Sequence, residues 1–234
     1  MDDRVAFRKT SLVDFPGRVA AVLFFPGCDF ACPYCHNAGL VDPARAEGEL
    51  DELGEFYAHL DRRRAVLSGA VLSGGEPLLR ADLPKVAAAL RARGLAVKLD
   101  TNGSFPGRIE EVRPDYVALD LKTAPAAYAR VAPSLPGAGE RALESLRLLR
   151  ALAAEGRLEF EVRITCAPGV LEPGDLAALA EELEAGDRVV LQAFRPGGCL
   201  DPAWDSLAPY SPAEMESFRE AIARSAPGAR IRGP

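Results

Sequence analysis

Short apolar or β-branched runs at 19–25, 70–73, 96–100, 116–121, 158–164 and 188–193 alternate with longer stretches of helical spacing. That alternation constrains the chain most. Each run is closed by Gly, Pro or a polar residue, as buried parallel strands tend to be. Between them, Leu50, Leu53, Phe56, Tyr57 and Leu60 share one helical face. Residues 83–93 read as a helix with Asp82 as its cap and Gly94 as its stop. Residues 139–155 carry leucines at 143, 146, 149 and 152 before Gly156. Residues 176–183 and 213–224, capped by Asp175 and Ser211, add two more helices. Repeated strand–helix units predict an α/β fold with a parallel sheet, either open and doubly wound or curved into a barrel. In both, chemistry collects at the C-terminal ends of the strands. Cys28, Gly74-Gly75-Glu76, Asp100, Asp120 and Lys122 all fall there.

The 234 residues suit one domain with a sizeable core; 48% are hydrophobic and 26% charged, an ordinary globular balance. The net charge of −6 has both signs spread along the chain, so no basic footprint for nucleic acid stands out. Arg62-Arg63-Arg64 reads as the solvated end of a helix. The longest apolar stretch, 19–26, is far short of the ~20 residues that span a bilayer, and no membrane association is expected. Met1-Asp2-Asp3-Arg4, with no long apolar run behind it, predicts no signal peptide. A cytoplasmic location follows, where clustered cysteines mean metal or redox chemistry rather than disulfides. Of five cysteines, Cys28, Cys32 and Cys35 cluster, whereas Cys166 and Cys199 are isolated and read as packed thiols.

Thiolates are soft ligands that select iron–sulfur clusters, zinc or copper(I). A C-x3-C-x2-C loop can wrap three corners of a [4Fe–4S] cube, with Gly27 and Pro33 shaping its turns. Ordinary electron-transfer clusters use four cysteines. Three leave one iron open, the position a catalytic metal site keeps for substrate. Taken alone, the spacing also allows a structural zinc site closed by His36 or a distant cysteine.

The C-x3-C-x2-C loop, with aromatic Tyr34 before the third cysteine, resembles the defining motif of the radical S-adenosylmethionine (SAM) superfamily. Ser73-Gly74-Gly75-Glu76-Pro77 closes an apolar strand and begins 38 residues after Cys35. It resembles the family's motif for the SAM methionine amino group. Two glycines allow close backbone approach, and Glu76 offers acceptors to an ammonium. The resemblance extends through Lys9-Thr10-Ser11-Leu12-Val13-Asp14-Phe15-Pro16-Gly17-Arg18, Tyr34-Cys35-His36-Asn37, Asp100-Thr101-Asn102-Gly103, Asp120-Leu121-Lys122 and residues 191–196, and so covers roughly residues 5–200. In these segments the chain is similar to the activating enzymes of glycyl radical enzymes, most of all those of anaerobic ribonucleoside-triphosphate reductase. No cysteine lies between Asn37 and Ser73 or beyond Cys199, so one cluster is expected.

The resemblance implies a partial (β/α)6 TIM-type barrel, open at one side. The whole chain, 1–234, would be a single radical SAM domain with a core of about 16–200 and a C-terminal helical extension of about 201–234. It implies a [4Fe–4S] cluster on Cys28, Cys32 and Cys35, with SAM as cofactor. One electron from the cluster would split SAM into methionine and a 5′-deoxyadenosyl radical, which takes hydrogen from a glycine of a partner enzyme. The expected partners are anaerobic ribonucleotide reductase and a flavodoxin or ferredoxin electron donor. Tyr34, Asn37, Ser73, Gly74, Gly75, Glu76, Asp100, Asp120, Lys122, Arg163 and Gln192 are the expected SAM-side residues. Among them Lys122 would pair with the SAM carboxylate, and Asn37 and Gln192 would contact the adenine. Asp100 and Asp120 would reach the ribose or a monovalent cation. Arg163, mid-strand, needs a buried partner. The alternatives are a small-molecule radical SAM enzyme of the 7-carboxy-7-deazaguanine synthase type and a zinc-bound structural module.

Overall fold

The computed structural model describes residues 3–41 and 50–233; Met1 and Asp2, part of the N-terminal reading above, lie outside the described residues. β1 (Arg4–Ser11) runs antiparallel to β2 (Ala20–Phe25) and to the short β3 (Asp51–Glu52). From β2 the sheet continues in parallel through β4 (Gly69–Gly74), β5 (Ala96–Thr101), β6 (Tyr116–Asp120), β7 (Glu159–Cys166), β8 (Val189–Ala193) and β9 (Arg230–Arg232). Among the described residues this is one sheet, ordered β3-β1-β2-β4-β5-β6-β7-β8-β9, with free edges at β3 and β9. β2 and β4 to β8 are the six parallel strands expected from the alternation, each shifted by at most two residues at either end.

The sheet is curved. Asp14, beyond β1, and Arg232, on β9, line the same cavity, although a flat sheet would hold β1 and β9 roughly 34 Å apart at about 4.8 Å per strand. The fold is thus the expected partial (β/α)6 barrel.

Helices cover the outer face. In chain order they are α1 (Ala38–Val41), α2 (Leu53–Arg63), α3 (Leu83–Arg91), α4 (Pro106–Val112), α5 (Ala138–Ala154), α6 (Asp175–Glu181) and α7 (Pro212–Ala223). α5 lays Leu146, Leu149 and Leu152 inward at helical spacing, and α3 does the same with Leu83, Val86 and Leu90. Each such side chain contributes about 1.5–3 kcal/mol by leaving water. A smaller apolar cluster of Phe15, Ala20, Val22, Val71 and Tyr116 closes the other side of the sheet at the N-terminal ends of the strands. The Phe15 and Tyr116 rings meet there at 5.9 Å. This floor frees the opposite end of the lumen to be polar.

Several local expectations shift. Asp82 does not cap α3; its carboxylate takes two hydrogen bonds from Arg80, at 2.9 and 2.8 Å. Asp175 is the first residue of α6 and accepts instead from the Glu172 N–H at 2.8 Å. Ser211 does cap α7, in a reciprocal capping box with Glu214. α4 was not among the expected helices. The segment expected as a helical extension, 201–234, contains α7 but returns as β9, which pairs in parallel with β8.

Candidate functional site

The C-terminal ends of the parallel strands open on one cavity of about 520 Å³. Cys28, Cys32, Tyr34, Cys35 and Asn37 line it from the loop after β2, and Ser73, Gly74 and Gly75 from the end of β4. Asp100, Asp120, Lys122, Arg163 and Gln192 line it from β5, β6, β7 and β8. Of the expected site residues, only Glu76 is missing from the wall.

The cysteine loop is held from both flanks. Glu76 donates its N–H to the Gly27 carbonyl at 2.8 Å, and Asn37 donates its amide to the Gly74 carbonyl at 3.0 Å. From the far side, Leu200 N–H reaches the Cys35 carbonyl at 2.8 Å and Asp201 N–H reaches Pro33 at 3.0 Å. The His36 Nε2 lies 2.8 Å from the Arg195 carbonyl. Residues 195–201 therefore act as a clamp on the loop, a role without a sequence signal.

The two glycines have a packing reason beside the expected ligand approach. A methyl on Gly74, at φ +120°, would overlap the Phe25 backbone, and one on Gly75 would overlap the Gly27 carbonyl. They let the end of β4 seat directly against the cysteine loop. Glu76 is likewise turned inward: it is 1% exposed. Its carboxylate accepts from Leu78 N–H at 3.0 Å, Thr101 Oγ1 at 2.9 Å and Asn102 N–H at 2.8 Å. Burial drives its pKa up to about 7 despite these three donors.

All five cysteines are free thiols. Burial raises Cys28 to about 12 and Cys32 to about 11, with Cys35 also raised. Desolvated thiols of this kind lose their protons to a bound cation, as metal ligation requires. Cys166 and Cys199 do not line the cavity, in keeping with their reading as packed thiols. Among the described residues, no three His, Cys, Asp or Glu side chains converge to hold a single metal ion. His36, the local candidate for a fourth zinc ligand, already faces the Arg195 carbonyl. Three thiols on one wall, with no fourth beside them, fit a cluster with one open iron.

The same cavity carries a ladder of buried charges across β5, β6 and β7. Lys98 pairs with Asp100 Oδ1, and Asp100 Oδ2 faces Ser73 Oγ at 3.2 Å and Arg163 at 3.4 Å. Arg163 Nε then donates to Asp120 Oδ1 at 2.7 Å, and Lys122 Nζ to Asp120 Oδ2 at 3.0 Å. Arg163 thus finds the partner its position demands. Burial opposes ionisation of Asp120, but Arg163 and Lys122 outweigh it and hold the carboxyl well below the usual range. Asp100 is lowered in the same way by Arg163 and Lys98. Three cations against two carboxylates leave the ladder with one positive charge, suited to an anionic group.

Sequence reasoning missed Lys98, although Lys98-Leu99-Asp100 places two charges on one face of an apolar strand. It also missed Arg232, which donates to the buried Glu161 carboxylate at 3.4 Å. The Tyr34 hydroxyl is buried with no partner, on the wall of the cavity.

Residues 22–183 match the Radical SAM superfamily. The chain is 30% identical, over 202 residues, to "Putative glycyl-radical enzyme activating enzyme MJ1227" of Methanocaldococcus jannaschii, covering 84% of this chain and 82% of that one. It is 36% identical over 119 residues to the pyruvate formate-lyase-activating enzyme of Clostridium pasteurianum, a match spanning 47% of this chain and only 48% of that protein. The fold resembles Streptococcus suis SuiB bound to precursor peptide SuiA, with TM-score 0.63, 14% identity, and coverage of 91% of this chain and 48% of that one. It also resembles QueE from Escherichia coli, with TM-score 0.52, 16% identity, and coverage of 99% and 92%.

The chain belongs to the radical SAM superfamily and, within it, to the glycyl-radical enzyme activating enzymes. Its cofactors are a [4Fe–4S] cluster and SAM. Among the described residues, no helix is long and apolar enough to cross a membrane.

Proposed function

We propose that the chain acts as one radical SAM domain that takes a hydrogen atom from a glycine of anaerobic ribonucleotide reductase. The observation that carries this reading is the cavity itself, which three free thiols share with a buried charge ladder. The cluster, when bound, supplies the electron that splits the SAM sulfonium and so generates the 5′-deoxyadenosyl radical. Cys28, Cys32 and Cys35 hold it. Lys122 keeps donors to spare after its bond to Asp120 and would pair with the methionine carboxylate. The Gly74 and Gly75 backbone would receive the amino group, Asn37 and Gln192 would contact the adenine, and Tyr34 would line the same cavity. Ser73, Asp100, Asp120 and Arg163 act chiefly by holding this frame, and Glu76 by bracing the loop beneath it. A flavodoxin or ferredoxin supplies the electron.

The reductase as partner is supported by the resemblance of 9–18, 34–37 and 100–103. The test mixes anaerobically reconstituted enzyme with SAM, reduced flavodoxin and either anaerobic ribonucleotide reductase or pyruvate formate-lyase. A glycyl radical doublet in the electron paramagnetic resonance spectrum of the reductase is expected. A doublet only with the lyase, or with neither, would overturn the assignment.

A further inference from the structure

Lys98 is the deepest member of the charge ladder and is 2% exposed. It stands on β5 two residues before Asp100, on the same face of the strand and about 6.6 Å nearer the barrel floor. From there its ammonium reaches up to Asp100 Oδ1. The other oxygen of Asp100 is turned to Ser73 and Arg163, and Arg163 in turn holds the Asp120 carboxylate whose second oxygen carries Lys122. All four oxygens of the two carboxylates at the strand ends are therefore satisfied by protein donors. Without Lys98, Asp100, which lines the cavity, would keep one buried oxygen with no counter-charge beside it. A lysine ammonium is a compact point charge with three donors, which makes it the side chain nearest in kind to a small monovalent cation.

We propose that Lys98 is a tethered counter-cation, occupying the place beside Asp100 that a monovalent metal ion would otherwise fill and thereby positioning Arg163, Asp120 and Lys122. The enzyme then needs no added sodium or potassium. Removing the side chain creates a site for a monovalent cation or small alkylammonium.

The test uses the full, cluster-free chain. Its melting temperature is measured at constant ionic strength in choline, potassium or methylammonium chloride. Wild type should melt alike in all three. Lys98→Ala should melt lower in choline and regain about 3 °C or more, saturably, in potassium or methylammonium. Equal melting of the variant in all three salts, or an equal response from wild type, would overturn the proposal. Should Lys98→Ala not fold, Lys98→Arg and Lys98→Met decide the matter through SAM affinity of the reconstituted protein in choline. The charged variant should stay within about threefold of wild type and the neutral one weaken about tenfold, with potassium restoring neither. Equal affinities would reject a charge-based role. This second readout rests on the SAM reading above. The melting test does not, so failure of one is distinguishable from failure of the other.

Discussion

Asn102 donates its backbone N–H to the Glu76 carboxylate at 2.8 Å, and its side-chain amide to Asp29 Oδ1 at 2.8 Å. One residue after β5 thereby joins the end of β4 to the cysteine loop. The Glu76 carboxylate, expected on the SAM side, is bonded within this brace.

Glu76 carries a pH dependence. Its folded pKa of about 7 lies above the usual carboxylate value, raised first by burial and further by Asp29. Its contribution is fully present below about pH 4.3 and is lost as pH rises through 7. In urea denaturation of the cluster-free chain, wild type should lose stability relative to Glu76→Gln between pH 5 and pH 8. Parallel curves for the two proteins would refute the shifted titration.

Gly75→Ala should push the cysteine loop away from β4, because the added methyl overlaps the Gly27 carbonyl and crowds Cys28 Cβ at 3.2 Å. Iron and sulfide content after anaerobic reconstitution should fall to less than about half of wild type. Undiminished loading would show that the loop tolerates the shift.

Gly54→Ala makes the opposite prediction. Gly54 lies in the first turn of α2 with open space around its Cα. Lower helix cost and a less flexible unfolded chain should stabilise the protein by about 0.4–1 kcal/mol, read as a higher urea midpoint.

Arg163→Met leaves Asp100 and Asp120 buried with their shared cation removed. A loss of about 3–5 kcal/mol at pH 7 is expected from equilibrium denaturation. The depressed Asp120 pKa stabilises the fold above the unfolded value near 3.9, and that contribution fades as pH falls through the folded one. The gap between wild type and variant should therefore narrow below about pH 4; a constant gap would place the damage elsewhere.

Cys28→Ala, Cys32→Ala or Cys35→Ala should each abolish cluster loading, whereas Cys166→Ala and Cys199→Ala should retain it. The check is the iron-to-protein ratio of each folded variant. Loss of iron in Cys199→Ala would make it a ligand.

The sequence by itself determined what is local or periodic. Six of the parallel strands, β2 and β4 to β8, show as short apolar runs because both faces of each are covered. The three thiols lie within eight residues, so one loop brings them together whatever the rest of the chain does. β1 and β9 escaped notice because half or more of their residues stay exposed or partly exposed, so neither shows as an apolar run. Only the tertiary structure decided which charges meet. Lys98, Asp100, Asp120, Lys122 and Arg163 come from three strands, and their pairing follows from register across the curved sheet, with Asp120 set opposite Arg163. For the same reason the partners of Glu76 were not legible: whether a carboxylate faces a cavity or the backbone of a neighbouring strand depends on side-chain direction at a strand end, which a linear motif does not carry.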